Sequence, residues 1–166
     1  MLRNLPDEKQ YMKKRIHFLA TVLLAAVFGI VTIDAQVSKK APDYKIANIK
    51  IVPFNEETGK FEDELTANSD RSFFNDLSTS LFVTFEISGA AGSFEAGRKI
   101  VITVTEGKRP KFSKTEQVGL IGEGGRYFVP VWLYSSMCSD VTITAKLSGQ
   151  KTVSTKTRKV AFLCGE

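Results

Sequence analysis

The chain has 166 residues, 25% of them charged and 43% hydrophobic, with a formal net charge of +5. That balance is globular, and 12 glycines with 5 prolines exclude collagen-like and proline-rich chains. A single histidine and two cysteines leave little of the common catalytic and metal-binding machinery.

Residues 1–35 read as an export signal. Lys13, Lys14 and Arg15 precede a run from Ile16 to Ile33 that holds no Asp, Glu, Lys or Arg, and Asp34, Ala35 and Gln36 follow it. A basic start, an apolar centre and a small residue before a polar stretch is the layout of a secretory signal peptide, with Ala35 at the cleavage position. Met12 offers an alternative start, because MKKRIHFLATVLLAAVF is a more typical opening than MLRNLPDEKQY. The competing reading is a retained anchor, since the uncharged run approaches the ~20 residues that span a bilayer. Both readings predict an exported protein, secreted or periplasmic, with a signal of bacterial style. A membrane contact is expected only through this segment, and only if it is not cleaved.

Five of the 23 basic and three of the 18 acidic side chains lie in 1–35, so residues 36–166 carry a net charge of +3. His17 also leaves with the signal, and the mature chain has no histidine. A Ser/His/Asp triad, a Cys/His pair and a histidine zinc site are thereby excluded. No cofactor and no metal are expected, and the chain is expected not to be an enzyme.

Residues 36–43 form a flexible lead into a domain spanning 44–166. Tyr44–Val52 is the first predicted strand. Residues 55–76 carry seven acidic and two basic side chains without sustained alternation, and read as a long connection with one helical turn. Their Glu62, Asp63, Glu64, Asn68 and Asp70 are calcium-type oxygen ligands, but the spacing fits no EF-hand, so a solvated loop is expected. Leu81, Val83, Phe85 and Ile87 then alternate with Phe82, Thr84, Glu86 and Ser88, the period of a half-buried strand. Ile100, Ile102 and Val104 repeat the pattern, as do Val141, Ile143, Ala145 and Leu147. Lys114–Ile121, Arg126–Tyr134 and Val153–Leu163 bring the count to about seven strands, parted by glycine-rich turns. The fold class predicted is all-β, an immunoglobulin-like antiparallel β-sandwich preceded by the hydrophobic signal helix. A closed barrel is the alternative.

Cys138 and Cys164 bracket the last predicted hairpin, and in an exported chain they are expected to form a disulfide. A turn centred at Lys151 sets them opposite each other. Matching the apolar faces, Val141 to Phe162 and Ile143 to Val160, shifts the pairing by one residue, which a bulge would reconcile.

RYFVPVWLY, residues 126–134, is the candidate binding strand. With Tyr127, Val129, Val131 and Leu133 turned to the core, Phe128, Pro130, Trp132 and Tyr134 face outward. Residues two apart stand roughly 7 Å from each other, comparable with neighbouring sugar rings. Phe128, Trp132 and Tyr134 are therefore the predicted ligand-binding residues, for a protein partner or a surface glycan. The bland alternative covers these rings with the acidic segment, where Phe73 and Phe74 could meet them. Pro130 predicts an edge or a bulge. Lys108, Arg109, Lys111 and Lys114, with Lys156, Arg158 and Lys159, could steer an anionic surface, or could guard strand edges against aggregation. Nucleic acid is not an expected partner, because no basic-aromatic motif is present. The function expected is a non-catalytic binding or structural module of the envelope or extracellular space, acting by protein–protein interaction or adhesion. The alternative is a carbohydrate-binding accessory domain using Phe128, Trp132 and Tyr134.

Overall fold

A computed structural model describes residues 43–66, 72–134 and 137–165. The predicted signal 1–35, residues 36–42 of the lead, and Asn68 and Asp70 lie outside the described residues. The chain is all-β there, with no helix among the described residues. Nine strands occur in chain order: β1 (Lys45–Asn55), β2 (Lys60–Phe61), β3 (Ser72–Phe74), β4 (Thr79–Ser88), β5 (Lys99–Glu106), β6 (Arg109–Gln117), β7 (Arg126–Leu133), β8 (Val141–Ser148) and β9 (Ser154–Leu163). They form a four-stranded sheet ordered β2-β1-β4-β7 and a five-stranded sheet ordered β3-β9-β8-β5-β6. All neighbours are antiparallel except β3 and β9, which run parallel.

Alternation decides which side of each strand is buried. Ile49 and Ile51 of β1, Leu81 to Ile87 of β4, and Val129, Val131 and Leu133 of β7 turn inward from one sheet. Ile100, Ile102 and Val104 of β5, Val141 to Leu147 of β8, and Val160 and Phe162 of β9 turn inward from the other, and all join one hydrophobic core. Two sheets burying their inner faces in this way make a β-sandwich.

Side chains of β9 close one long border of this sandwich. β1 lies next to the sheet margin, where unpaired backbone groups would be costly to bury. Ile46 N–H donates to Ser154 Oγ (3.0 Å), and Lys156 Nζ donates to the Ala47 carbonyl (2.6 Å). Arg158 reaches three carbonyls: Ile49 at 3.3 Å, Leu65 at 2.8 Å and Thr66 at 2.9 Å. Leu65 N–H in turn donates to the Ile51 carbonyl at 2.8 Å. Near the start of β1, Gln150 exchanges two hydrogen bonds with the backbone of Tyr44, while Thr152 N–H donates to Asp43 at 2.7 Å. The fully buried Arg98 guanidinium stacks 4.0 Å over the buried Tyr44 ring, a cation–π contact that keeps its charge beside aromatic density.

Three sequence expectations are corrected. The strand expected at Lys114–Ile121 lies at Arg109–Gln117; as the outermost strand of its sheet it is mostly exposed, with only Phe112 packed against the core, so alternation gave little signal. The acidic connection contains the short strands β2 and β3, and between β1 and β2 the Gly59 N–H donates to the Asn55 carbonyl at 2.9 Å, closing a single turn. The last hairpin pairs Val141 with Val160 and Ile143 with Arg158, two residues from the expected match and without a bulge. A two-residue slip keeps every side chain on its own face, so pattern alone cannot choose between the registers. Cys138 and Cys164 sit just beyond this ladder at disulfide distance, with Cα atoms 4.8 Å apart.

Glu106, at the end of β5, anchors the segment that carries Cys138. Its carboxylate accepts the Cys138 N–H at 2.7 Å and Lys111 Nζ at 2.9 Å. The backbone N–H of Cys138 foremost, then Lys111, holds its pKa below the ordinary 4.5. A depressed pKa stabilises the fold in full above the unfolded value and loses that contribution as pH falls through the folded one. Glu106→Gln keeps an oxygen acceptor but removes the charge. Its stability deficit in urea titrations is expected at neutral pH and should close as acidification carries the parent carboxylate through its depressed folded pKa; a gap independent of pH would refute the charge-based account.

Candidate binding face

The outward positions of β7 follow from its place in the sheet. β7 is the margin beyond β4, and its register with β4 runs from Leu81↔Leu133 to Ser88↔Arg126 without a shift. Pro130, opposite Thr84, is tolerated because a proline nitrogen on an edge strand can face the open side. Phe128 and Tyr134 are exposed and Trp132 is half-buried, while Val129, Val131 and Leu133 are buried.

The register then assembles a cluster that one strand could not supply. Trp132 stands opposite Phe82, Phe82 opposite Val52, and Phe54 opposite Phe61. Trp132 meets Phe54 at 5.3 Å, Phe82 at 5.4 Å, Tyr134 at 5.6 Å and Phe61 at 5.7 Å between ring centroids. These separations and tilts are in the favourable range for edge-to-face aromatic pairs. Phe61 remains 55% exposed and Tyr134 69% exposed, so the cluster has an open rim over a packed centre. The Trp132 indole N–H is buried within it and has no hydrogen-bond partner among the described residues.

Of the three residues named from sequence, Trp132 and Tyr134 come together. Phe128 shares their face but lies further along β7, opposite Glu86, and takes no ring contact with them. Glu86, buried on this outward face, is ion-paired with Arg126. Phe73 and Phe74 do not meet the cluster: Phe73 stacks on Phe162 at 4.8 Å in the other sheet, and Phe74 is exposed. Sequence reasoning missed Phe54 and Phe61. Phe82 was legible as an outward residue of β4, but which strand lay beside it was not. Among the described residues, no group of three or more His, Cys, Asp or Glu could hold a metal ion.

The arrangement offers aromatic area with a restricted polar border. Ser80, beside the cluster on β4, donates to Glu56. No protein-family model matches the chain, and comparison with curated proteins finds no relative. A sandwich fold hosts many functions, so a specific role lies in the side chains of a face and not in the fold.

Proposed function

We propose that this is an exported, immunoglobulin-like sandwich that works by binding a protein partner through the Trp132 face, without catalysis. The strand order supports the class: setting aside the two short strands, β1-β4-β7 faces β9-β8-β5-β6, the arrangement of sandwiches in that group. The basic-apolar leader in the sequence and the cysteine pair at disulfide distance support export to an oxidising compartment.

The observation that carries the binding reading is the five-ring cluster on an outward sheet face. Protein interaction surfaces favour aromatic anchors at a dry centre, and Trp and Tyr dominate their energetics. A sugar needs a ring face left open for stacking. Trp132 is instead met by Phe54, Phe61, Phe82 and Tyr134, which favours the protein partner over the glycan.

The double variant Phe61→Ser/Tyr134→Ser alters only the exposed rim. It should leave the thermal midpoint nearly unchanged and abolish cross-linking to a defined envelope protein that the parent captures. Trp132 emission should stay constant across a panel of neutral glycans. Undiminished capture by the double variant would remove this face from the function, and a glycan-induced emission shift would transfer it to carbohydrate.

A further inference from the structure

The outward face of the five-stranded sheet is chemically unlike the aromatic one. Registers across β9, β8, β5 and β6 align Thr157, Thr144, Thr103 and Ser113 in a single row of hydroxyls. Thr144 Oγ1 and Thr157 Oγ1 lie 3.1 Å apart, in hydrogen-bond contact. The charged residues at outward positions paired across these strands are Lys99, Lys146 and Lys159; all three are exposed, and none forms an ion pair with a described residue. No carboxylate occupies an outward position there. β propensity accounts for the threonines. It does not account for the exclusion of acids, because the four-stranded sheet mixes Lys50, Glu86 and Arg126 on its outward face.

The three lysines also have a direction. Lys159 on β9, Lys146 on β8 and Lys99 on β5 step diagonally across adjacent strands. With strands about 4.8 Å apart and same-face residues about 7 Å apart, the steps are about 14 and 8 Å, a track of about 22 Å.

We propose that this face is a second binding surface, for an anionic polysaccharide lying along the lysine diagonal. Ammonium groups meet the carboxylates or sulfates of such a polymer, and the hydroxyl row exchanges hydrogen bonds with its sugar hydroxyls. Protein docking would lack an apolar anchor at the centre of this face. The exposed apolar side chains of this face, Phe74 and Leu163, pair at the β3–β9 end, beyond the lysine track, so the track itself offers a lipid surface nothing large to insert and a nucleic acid no ring to stack on. The inference is independent of the Trp132 face, which stands on the other sheet.

The test measures binding of the purified protein to alginate and to dextran sulfate, with neutral dextran and phosphatidylglycerol vesicles as competing outcomes. Both polyanions should bind at low salt and weaken steeply as salt is raised. Lys99→Gln/Lys146→Gln/Lys159→Gln should lower affinity at least about tenfold, about 1.4 kcal/mol. Lys45→Gln/Lys50→Gln/Lys60→Gln, with the same net charge but altered on the other sheet, should change it less than about twofold. Thr144→Val, which removes a hydroxyl at constant shape, should weaken binding further, and Phe61→Ser/Tyr134→Ser should not. No binding to either polyanion, equal losses in the two lysine variants, equal binding of neutral dextran, or preferential binding to vesicles would each overturn the proposal. A failed Trp132 face with an intact lysine track would separate the two readings.

Discussion

Gly149→Ala should destabilise the domain by on the order of 3 kcal/mol, more than the same change at Gly59 or Gly124. Gly149 has φ +78°, a left-handed conformation that costs an alanine roughly 1–2 kcal/mol. The added Cβ would also stand 2.1 Å from the Gly97 carbonyl oxygen and 3.1 Å from Arg98 Cα. Those are backbone atoms leading into β5 and into the buried Arg98–Tyr44 stack, so the clash cannot be relieved by a side-chain rotation. Two controls separate the causes. Gly59 has φ +65° with nothing within 4 Å of its would-be Cβ, and alanine there should show the conformational cost alone. Gly124 has neither the conformation nor a neighbour, and alanine should be nearly neutral. Urea midpoints should rank Gly124→Ala, Gly59→Ala and Gly149→Ala in order of increasing loss. Equal losses at 59 and 149 would show that the loop ending at Arg98 yields freely.

Arg158→Ala should cost about 3 kcal/mol, because one side chain serves three carbonyls from two separate segments. A hydrogen bond from a charged donor contributes about 1.5–3 kcal/mol, and the three share one guanidinium, so their effects will not add. Truncation leaves the Ile49 carbonyl on the margin of β1 without its side-chain donor and frees the chain at Leu65–Thr66. Lysine is not an adequate replacement. Its point-like ammonium cannot span the planar fork that reaches Ile49 on one side and Leu65 and Thr66 on the other. Arg158→Lys should recover less than half of the loss. Amide exchange supplies the local readout: protection of Leu65, whose N–H bonds to the Ile51 carbonyl, should fall before that of the β4–β7 ladder. Uniform loss of protection across the sandwich would show that the arginine acts globally.

What could be read from sequence depended on whether a segment is buried on one side. β4, β5, β7, β8 and β9 each place one face in the core, and the period-two pattern located them within a few residues. β6 has little such constraint: in RPKFSKTEQ only Phe112 packs against the core, and the strand's place is set by pairing with β5. β2 and β3 span two and three residues, too short for any period, and exist because Phe54 and Leu163 offer them a partner. The candidate face divides in the same way. Trp132 and Tyr134 were visible as outward residues of one strand, whereas Phe54 and Phe61 reach them through cross-strand neighbours that composition does not encode. The lysine diagonal is subtler still. Lys99, Lys146 and Lys159 lie on three different strands, and only the registers of two strand pairs, β5–β8 and β8–β9, line them up.

The border joined by Ser154, Lys156 and Arg158 also bears on how the molecule responds to tension. β1 and β9 run in the same direction in different sheets, so the described chain begins at Asp43 by one end of the sandwich and reaches Gly165 by the opposite end. Traction applied at those two points pulls along the strands. The contacts of Ile46, Ala47 and Ile49 with β9 then lie across the line of force and must rupture together instead of unzipping one by one. At the far end the sulfur bridge relays the pull directly from Cys164 to Cys138, which prevents β9 from being peeled off β8. A sandwich wired in this way yields reluctantly when stretched along its strands.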